Sequence, residues 1–191
     1  MLTMDVRHPD IFDFVNIKRD RSKVTGANIS VMLRDDFMEA VKNDEDYFLK
    51  FPCECNLEQI TDITTIPYNK LISYDVGELG DSGMFEYGKR IKAKELYDSI
   101  VENAWENAEP GQMFIDKHHN YSPDSVYPQF KGVTTNPCGE IFMQPYDACR
   151  LIAVNLFSFV DNPFTKDAEF NYEKFYKYNY EAMRLSDDLI D

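Results

Sequence analysis

Apolar and polar positions along the chain switch between two periods, and the switches mark out its elements. Leu2, Met4 and Val6 alternate with polar neighbours, which predicts a short strand over 1–6. His8-Pro9-Asp10 ends that strand. Ile11, Phe14, Val15 and Ile17 then recur with helical spacing, behind a proline that suits a first helical turn. A second strand is expected over 27–33, bounded by Gly26 and by Arg34-Asp35-Asp36. Either aspartate is placed to cap a helix from Phe37 to about Asn43. Strand, helix, strand, helix at this pace points to parallel βα units.

Residues 44–88 give a weaker pattern. With Pro52, Pro67, Gly77, Gly80 and Gly83 they predict short mixed elements or an excursion from the core. No clear strand leads into those glycines, so they form no phosphate-binding fingerprint. A helix follows over 92–108, with Leu96, Ile100, Val101 and Ala104 on one face. Glu109-Pro110-Gly111 stops it before a short strand at 113–115. Residues 148–159 are apolar enough for a buried strand or short helix. The last helix, over 172–190, carries Phe175, Tyr178, Ala182, Leu185 and Leu189 on one side, a stripe that reads as core packing rather than a cofactor box. No internal repeat or low-complexity tract interrupts this.

Composition narrows the function classes. With 43% hydrophobic and 14% aromatic residues, the chain can bury a core. Its 34 acidic against 20 basic residues give a net charge of −14, which argues against binding nucleic acid or an anionic membrane. A nucleotide remains an eligible substrate, because backbone amides can hold phosphates. No apolar run nears the ~20 residues of a membrane span, and the first residues lack the build of a signal peptide. A cytoplasmic location is expected. The four cysteines, Cys53, Cys55, Cys138 and Cys149, then read as thiols or catalytic groups rather than disulfides. Cys53 and Cys55 do not match zinc-pair spacing. His118 and His119 are read as part of a polar loop, and no metal site is expected.

Asn136-Pro137-Cys138-Gly139-Glu140 holds the candidate chemistry. Pro137 and Gly139 exclude a continuing helix or central strand and put Cys138 on a tight loop. With a period of two, Asn136, Cys138 and Glu140 would project together. A carboxylate can take a proton, an amide can orient a hydroxyl, and sulfur can attack or carry a radical. Cys149, eleven residues on, offers a second sulfur as reductant. From spacing alone the plainer assignment of Cys138, a small apolar side chain buried in a turn, is preferred.

Beyond spacing, Thr134-Thr-Asn-Pro-Cys-Gly-Glu140 followed by Gln144-Pro-Tyr-Asp-Ala-Cys149 and Asn155-Leu156 resembles the active-site region of ribonucleotide reductase large subunits. The N-P-C-G-E form is most similar to their adenosylcobalamin-dependent, class II branch. His8-Pro-Asp-Ile11, Asn28-Ile-Ser-Val31, Phe37-Met-Glu-Ala-Val41, Ala104-Trp105, Glu109-Pro-Gly111, Phe114-Ile-Asp116 and Asp187-Asp-Leu-Ile-Asp191 match the family in order.

The resemblance implies an α/β fold: part of a barrel of parallel strands, with a central finger loop carrying the active-site cysteine. It implies that Cys138 becomes a thiyl radical that takes the ribose 3′ hydrogen. Glu140 would act as base for the 3′ hydroxyl, Asn136 would bind the substrate's hydroxyls, and Cys149 would supply reducing equivalents. Adenosylcobalamin is the implied radical source, with a ribonucleotide, a thioredoxin-type dithiol and other segments or chains of the reductase as partners. Residues 1–191 then correspond to a central fragment of the catalytic barrel domain, incomplete at both ends and inactive without the missing parts. The family's partner redox cysteine and its phosphate loops are absent. Half a barrel leaves edge strands and apolar helix faces uncovered. The alternatives are a segment of a reductase served by a metal-containing small subunit, and a non-catalytic remnant or interaction module.

Overall fold

The computed structural model describes residues 1–20, 22–53, 63–75 and 85–189. It divides the chain into two compact units, Met1–Pro145 and Tyr146–Asp191. In the first unit the elements run β1 (Leu2–Asp5), α1 (Ile11–Asn16), β2 (Ile29–Leu33), α2 (Asp35–Asn43), β3 (Asp46–Phe51), β4 (Ile72–Asp75), β5 (Phe85–Lys92), α3 (Ala93–Asn107), β6 (Gly111–Phe114), α4 (Ile115–Tyr121), β7 (Thr134–Thr135) and β8 (Phe142–Met143).

The expected parallel βα units are present. β2 lies between β1 and β6, parallel to both, with Met4 opposite Val31 and Met32 opposite Met113. Four of its five residues are buried, the pattern of a strand covered on both faces. On one face Val31 and Leu33 join Ile11 and Val15 of α1, Phe37 of α2, and Leu96 and Ile100 of α3 in a single apolar core. Strand alternation sends Ser30 and Met32 to the other face. The fold is mixed α/β, and the described residues close no barrel.

Two local expectations need correction. α2 begins at Asp35, two residues early, and no side chain of its own caps it. The orphan Asp35 amide donates instead to the Asp116 carboxylate, 2.8 Å away, from the start of α4. α2 ends on Asp44, whose φ of 57° lets the Asp44 and Glu45 amides close the last turn onto Val41 and Ala40. The inward face of α3 is Ala93, Leu96, Ile100 and Asn103, whereas Val101 is 43% exposed. Apolarity alone selects Val101 over Asn103. The buried amide is tolerated because Asn103 accepts from Arg19 Nε (2.8 Å) and donates to Ser99 O (2.7 Å) and Asn16 Oδ1 (3.0 Å).

The excursion over 44–88 contains a three-stranded antiparallel sheet in the order β3-β5-β4, with Phe51 opposite Tyr87. Gly77, Gly80, Gly83 and Cys55 lie outside the described residues, but β4 is a strand that ends just ahead of Gly77, where the pattern predicted none.

The second unit is organised differently. A 3-10 turn at Leu156–Phe159 leads into the antiparallel pair β9 (Val160–Asp161) and β10 (Glu169–Phe170), then α5 (Tyr172–Asp188). Asn171 caps α5, its Oδ1 accepting from the Lys174 amide at 2.9 Å. Phe159 is the buried centre, with the rings of Phe175 and Tyr178 at 5.3 and 6.0 Å. Residues 148–155 are neither a buried strand nor a helix: the segment lacks regular structure and Leu151 is 86% exposed. The α5 stripe forms core packing only in part: Phe175 and Tyr178 lie against Phe159, the one buried apolar side chain among the unit's described residues, but no α5 residue is itself buried.

Candidate active site

The N-P-C-G-E segment is the tip of a hairpin. β7 pairs antiparallel with β8 through two residue pairs, Thr134 with Met143 and Thr135 with Phe142. Asn136 closes the turn: its amide donates to Ile141 O (3.1 Å), its side-chain Oδ1 accepts from the Ile141 amide (3.0 Å), and its carbonyl accepts from the Gly139 amide (3.0 Å). Gly139 has φ +87°, a left-handed conformation that a side chain would strain. This replaces the expected period-two projection. The chain doubles back, so Asn136 is buried and braces the turn while Cys138 and Glu140 stand exposed at its tip. Cys138 is an exposed free thiol, not the small buried side chain that spacing alone preferred.

The hairpin stands at the sheet face opposite the helical core. A cleft of about 100 Å³ is lined there by Ser30 of β2, Gly111 and Met113 of β6, His118, Thr135 and Cys138. Asn136 keeps its side-chain N–H2 free of hydrogen bonds among the described residues, so one end of the amide holds the turn and the other can donate to a ligand.

His118 and His119, expected in a polar loop, lie on α4 and grip the hairpin. His118 stacks on Phe142 with ring centroids 4.9 Å apart, and His119 meets the same ring edge-on at 5.4 Å. His119 Nε2 also lies 3.1 Å from Gly132 O. The sequence signal was the apolar Ile115 opening a helical segment directly after a strand. Among the described residues no set of three or more His, Cys, Asp and Glu side chains is placed to hold a metal ion.

A second polar cluster, which the pattern did not reveal, ties the C-terminal ends of the three parallel strands. The Arg34 guanidinium donates to Asp5 Oδ2 (2.6 and 2.9 Å) and to Asp116 Oδ1 (3.2 Å). Burial alone would raise the Asp116 carboxyl, but the Asp35 amide and Arg34 hold it below the ordinary carboxylate value. One acidic or basic residue at or just past the end of each strand was the available signal.

Cys149 belongs to the second unit, where it is half-buried as a free thiol. Its neighbour Arg150 donates to Leu189 O (2.6 and 3.2 Å), which fastens this segment to the C-terminal end of α5.

The site is thus a cysteine and a carboxylate at the exposed tip of a hairpin braced by a buried amide, carried on an α/β scaffold. Comparison with known proteins identifies the scaffold: the family model for the ribonucleotide reductase barrel domain matches residues 1–191, and the chain belongs to that family. It is 30% identical to a vitamin B12-dependent ribonucleoside-diphosphate reductase of Thermoplasma acidophilum, over 98% of this chain and 20% of that protein. A Mycobacterium tuberculosis protein of the same name is 28% identical over 100% of this chain and 22% of its own length. The large subunit of ribonucleoside-diphosphate reductase from Acanthamoeba polyphaga mimivirus is 28% identical, over 96% and 20%. The chain thus spans about a fifth of the length of these curated relatives. No helix among the described residues is long and apolar enough to cross a membrane.

Proposed function

We propose that this chain supplies the catalytic hairpin of a ribonucleotide reductase, with Cys138 as the sulfur that reacts. The observation that carries the reading is the exposed Cys138 thiol at the tip of a turn fixed by Asn136, next to Glu140. In this account a Cys138 thiyl radical takes the ribose 3′ hydrogen, and Glu140 takes the proton of the 3′ hydroxyl. The free N–H2 of Asn136 donates to the substrate's hydroxyls. Cys149 and a second cysteine from another part of the reductase together give the two electrons as the 2′ hydroxyl leaves as water, forming a disulfide that a dithiol partner reduces back to the two thiols. An exposed Cys138 needs cover from other parts of the enzyme, since a radical must be kept from water and side reactions.

The radical source in this reading is adenosylcobalamin, on the strength of the relatives named vitamin B12-dependent. The cleft beside Cys138, about 100 Å³, is far too small for a corrinoid. The residues that line this cleft therefore do not build that cofactor's site. A second reading keeps the reaction and gives the radical to a metal-containing small subunit. The match to a mimivirus protein named as a large subunit favours it.

The test is reduction of a ribonucleotide with adenosylcobalamin and a dithiol, by this chain alone and by this chain assembled with the flanking segments of a related reductase. Activity is expected only in the assembly and is lost in Cys138→Ser. A verified assembly that stays inactive with adenosylcobalamin, yet works with a metal-containing small subunit, selects the second reading. Inactivity with both generators rejects the proposal.

A further inference from the structure

We infer that His118 and His119 are positioning residues for Cys138, clamping its hairpin in place through Phe142 and the Gly132 carbonyl. The inference rests on the reading of Cys138 as the reacting sulfur, and it adds two residues that reading does not use.

The hairpin cannot hold its own position. Two residue pairs form its whole ladder, and even longer isolated hairpins are marginal in water. The bonds of Val133 to Met143 and among Asn136, Gly139 and Ile141 fix the hairpin's shape. They do not fix its place on the unit. Among the described residues, the ring contacts and side-chain hydrogen bonds that reach it from another element come from α4. His118 lies flat on Phe142, at 19° between ring planes, while His119 meets the ring at 61° and reaches Gly132 O. Adjacent helical residues diverge by roughly 100°, so one helix can set one imidazole on the ring face and the other on its edge. The Gly132 carbonyl is an acceptor only, so His119 Nε2 carries the proton in this bond.

Packing leaves no slack. A Cβ on Gly132 would lie 2.5 Å from the Phe142 ring. His118 also lines the cleft that Cys138 borders, so the clamp acts beside the sulfur. For a group that must meet one hydrogen of the substrate, a displacement of about 1 Å can cost roughly a hundredfold in rate.

The test is hydrogen exchange read by mass spectrometry on the full chain, comparing the 131–143 segment with β2. In His118→Ala and His119→Ala the hairpin amides should exchange about tenfold faster, with β2 protection kept. His118→Phe keeps the stack and His119→Asn keeps a donor, so both should restore slow exchange. In the assembled reductase the alanine variants should lower kcat with KM unchanged. Unchanged hairpin exchange in both alanine variants overturns the clamp. If those variants lose protection throughout, Phe142→Leu decides: faster exchange confined to the hairpin supports the clamp, and none overturns it. If exchange shifts as expected while the assembled wild type reduces nothing, the clamp stands and the reductase reading falls.

Discussion

The two units of this chain contain similar residues and use them in opposite ways. In Met1–Pro145 the apolar side chains converge: Val31, Leu33, Phe37, Leu96 and Ile100 are all at most 1% exposed in one core between sheet and helices. In Tyr146–Asp191 they diverge. Among the described residues Phe159 alone is buried, while Leu151, Phe164, Tyr172 and Met183 are between 73% and 94% exposed. The difference is one of partners rather than hydrophobicity. A strand with helices on one face and a neighbour on each edge can bury its whole inward row, whereas one helix beside a two-residue ladder has nothing to close against. An apolar stripe therefore shows what a segment can cover, and only its neighbours decide whether it is covered.

The comparison breaks most visibly under truncation. Phe37→Ala should cost about 3–5 kcal/mol in urea unfolding, while Leu185→Ala, 58% exposed on α5, should change stability by less than about 0.5 kcal/mol. Equal losses would erase the distinction between the units. Arg34→Ala comes next. It strips two carboxylates of a guanidinium that is only 12% exposed, and about 3 kcal/mol of destabilisation is expected in the same titration. Gly132→Ala forces a methyl into the Phe142 ring. A loss of roughly 1–3 kcal/mol is expected, with exchange quickened first in the hairpin.

The smallest effect concerns pH. Asp116 is held below the ordinary carboxylate value, so the unfolded chain takes up its proton first as pH falls. Its contribution to stability is full above about pH 4 and fades as pH drops through its lower folded value. Thermal melts from pH 7 to pH 3 should show that part of the acid sensitivity missing in Asp116→Asn.

Much of the first unit was legible because its segments keep strict periods. Leu2, Met4 and Val6 alternate, Ile11 and Val15 are one turn apart, and Pro110 stops α3 where expected. Three of the misses share a physical cause, in that each depended on a group distant in sequence. Asp116 caps α2 from 81 residues away, Asn103 is buried because Arg19 and Asn16 satisfy it, and His118 and His119 meet a ring that follows them only after the turn. At the site, the tight loop around Cys138 was readable from Pro137 and Gly139. The inward turn of Asn136 was not, because it arises from a side chain closing on the Ile141 amide.

The most direct test of Cys138 as the reacting sulfur is turnover of a 3′-deuterated ribonucleotide by the assembled reductase, beside Cys138→Ser and Glu140→Gln. The account predicts an isotope effect on product formation in the wild type, no product with Cys138→Ser, and slowed but detectable product with Glu140→Gln. Turnover that persists in Cys138→Ser would contradict it.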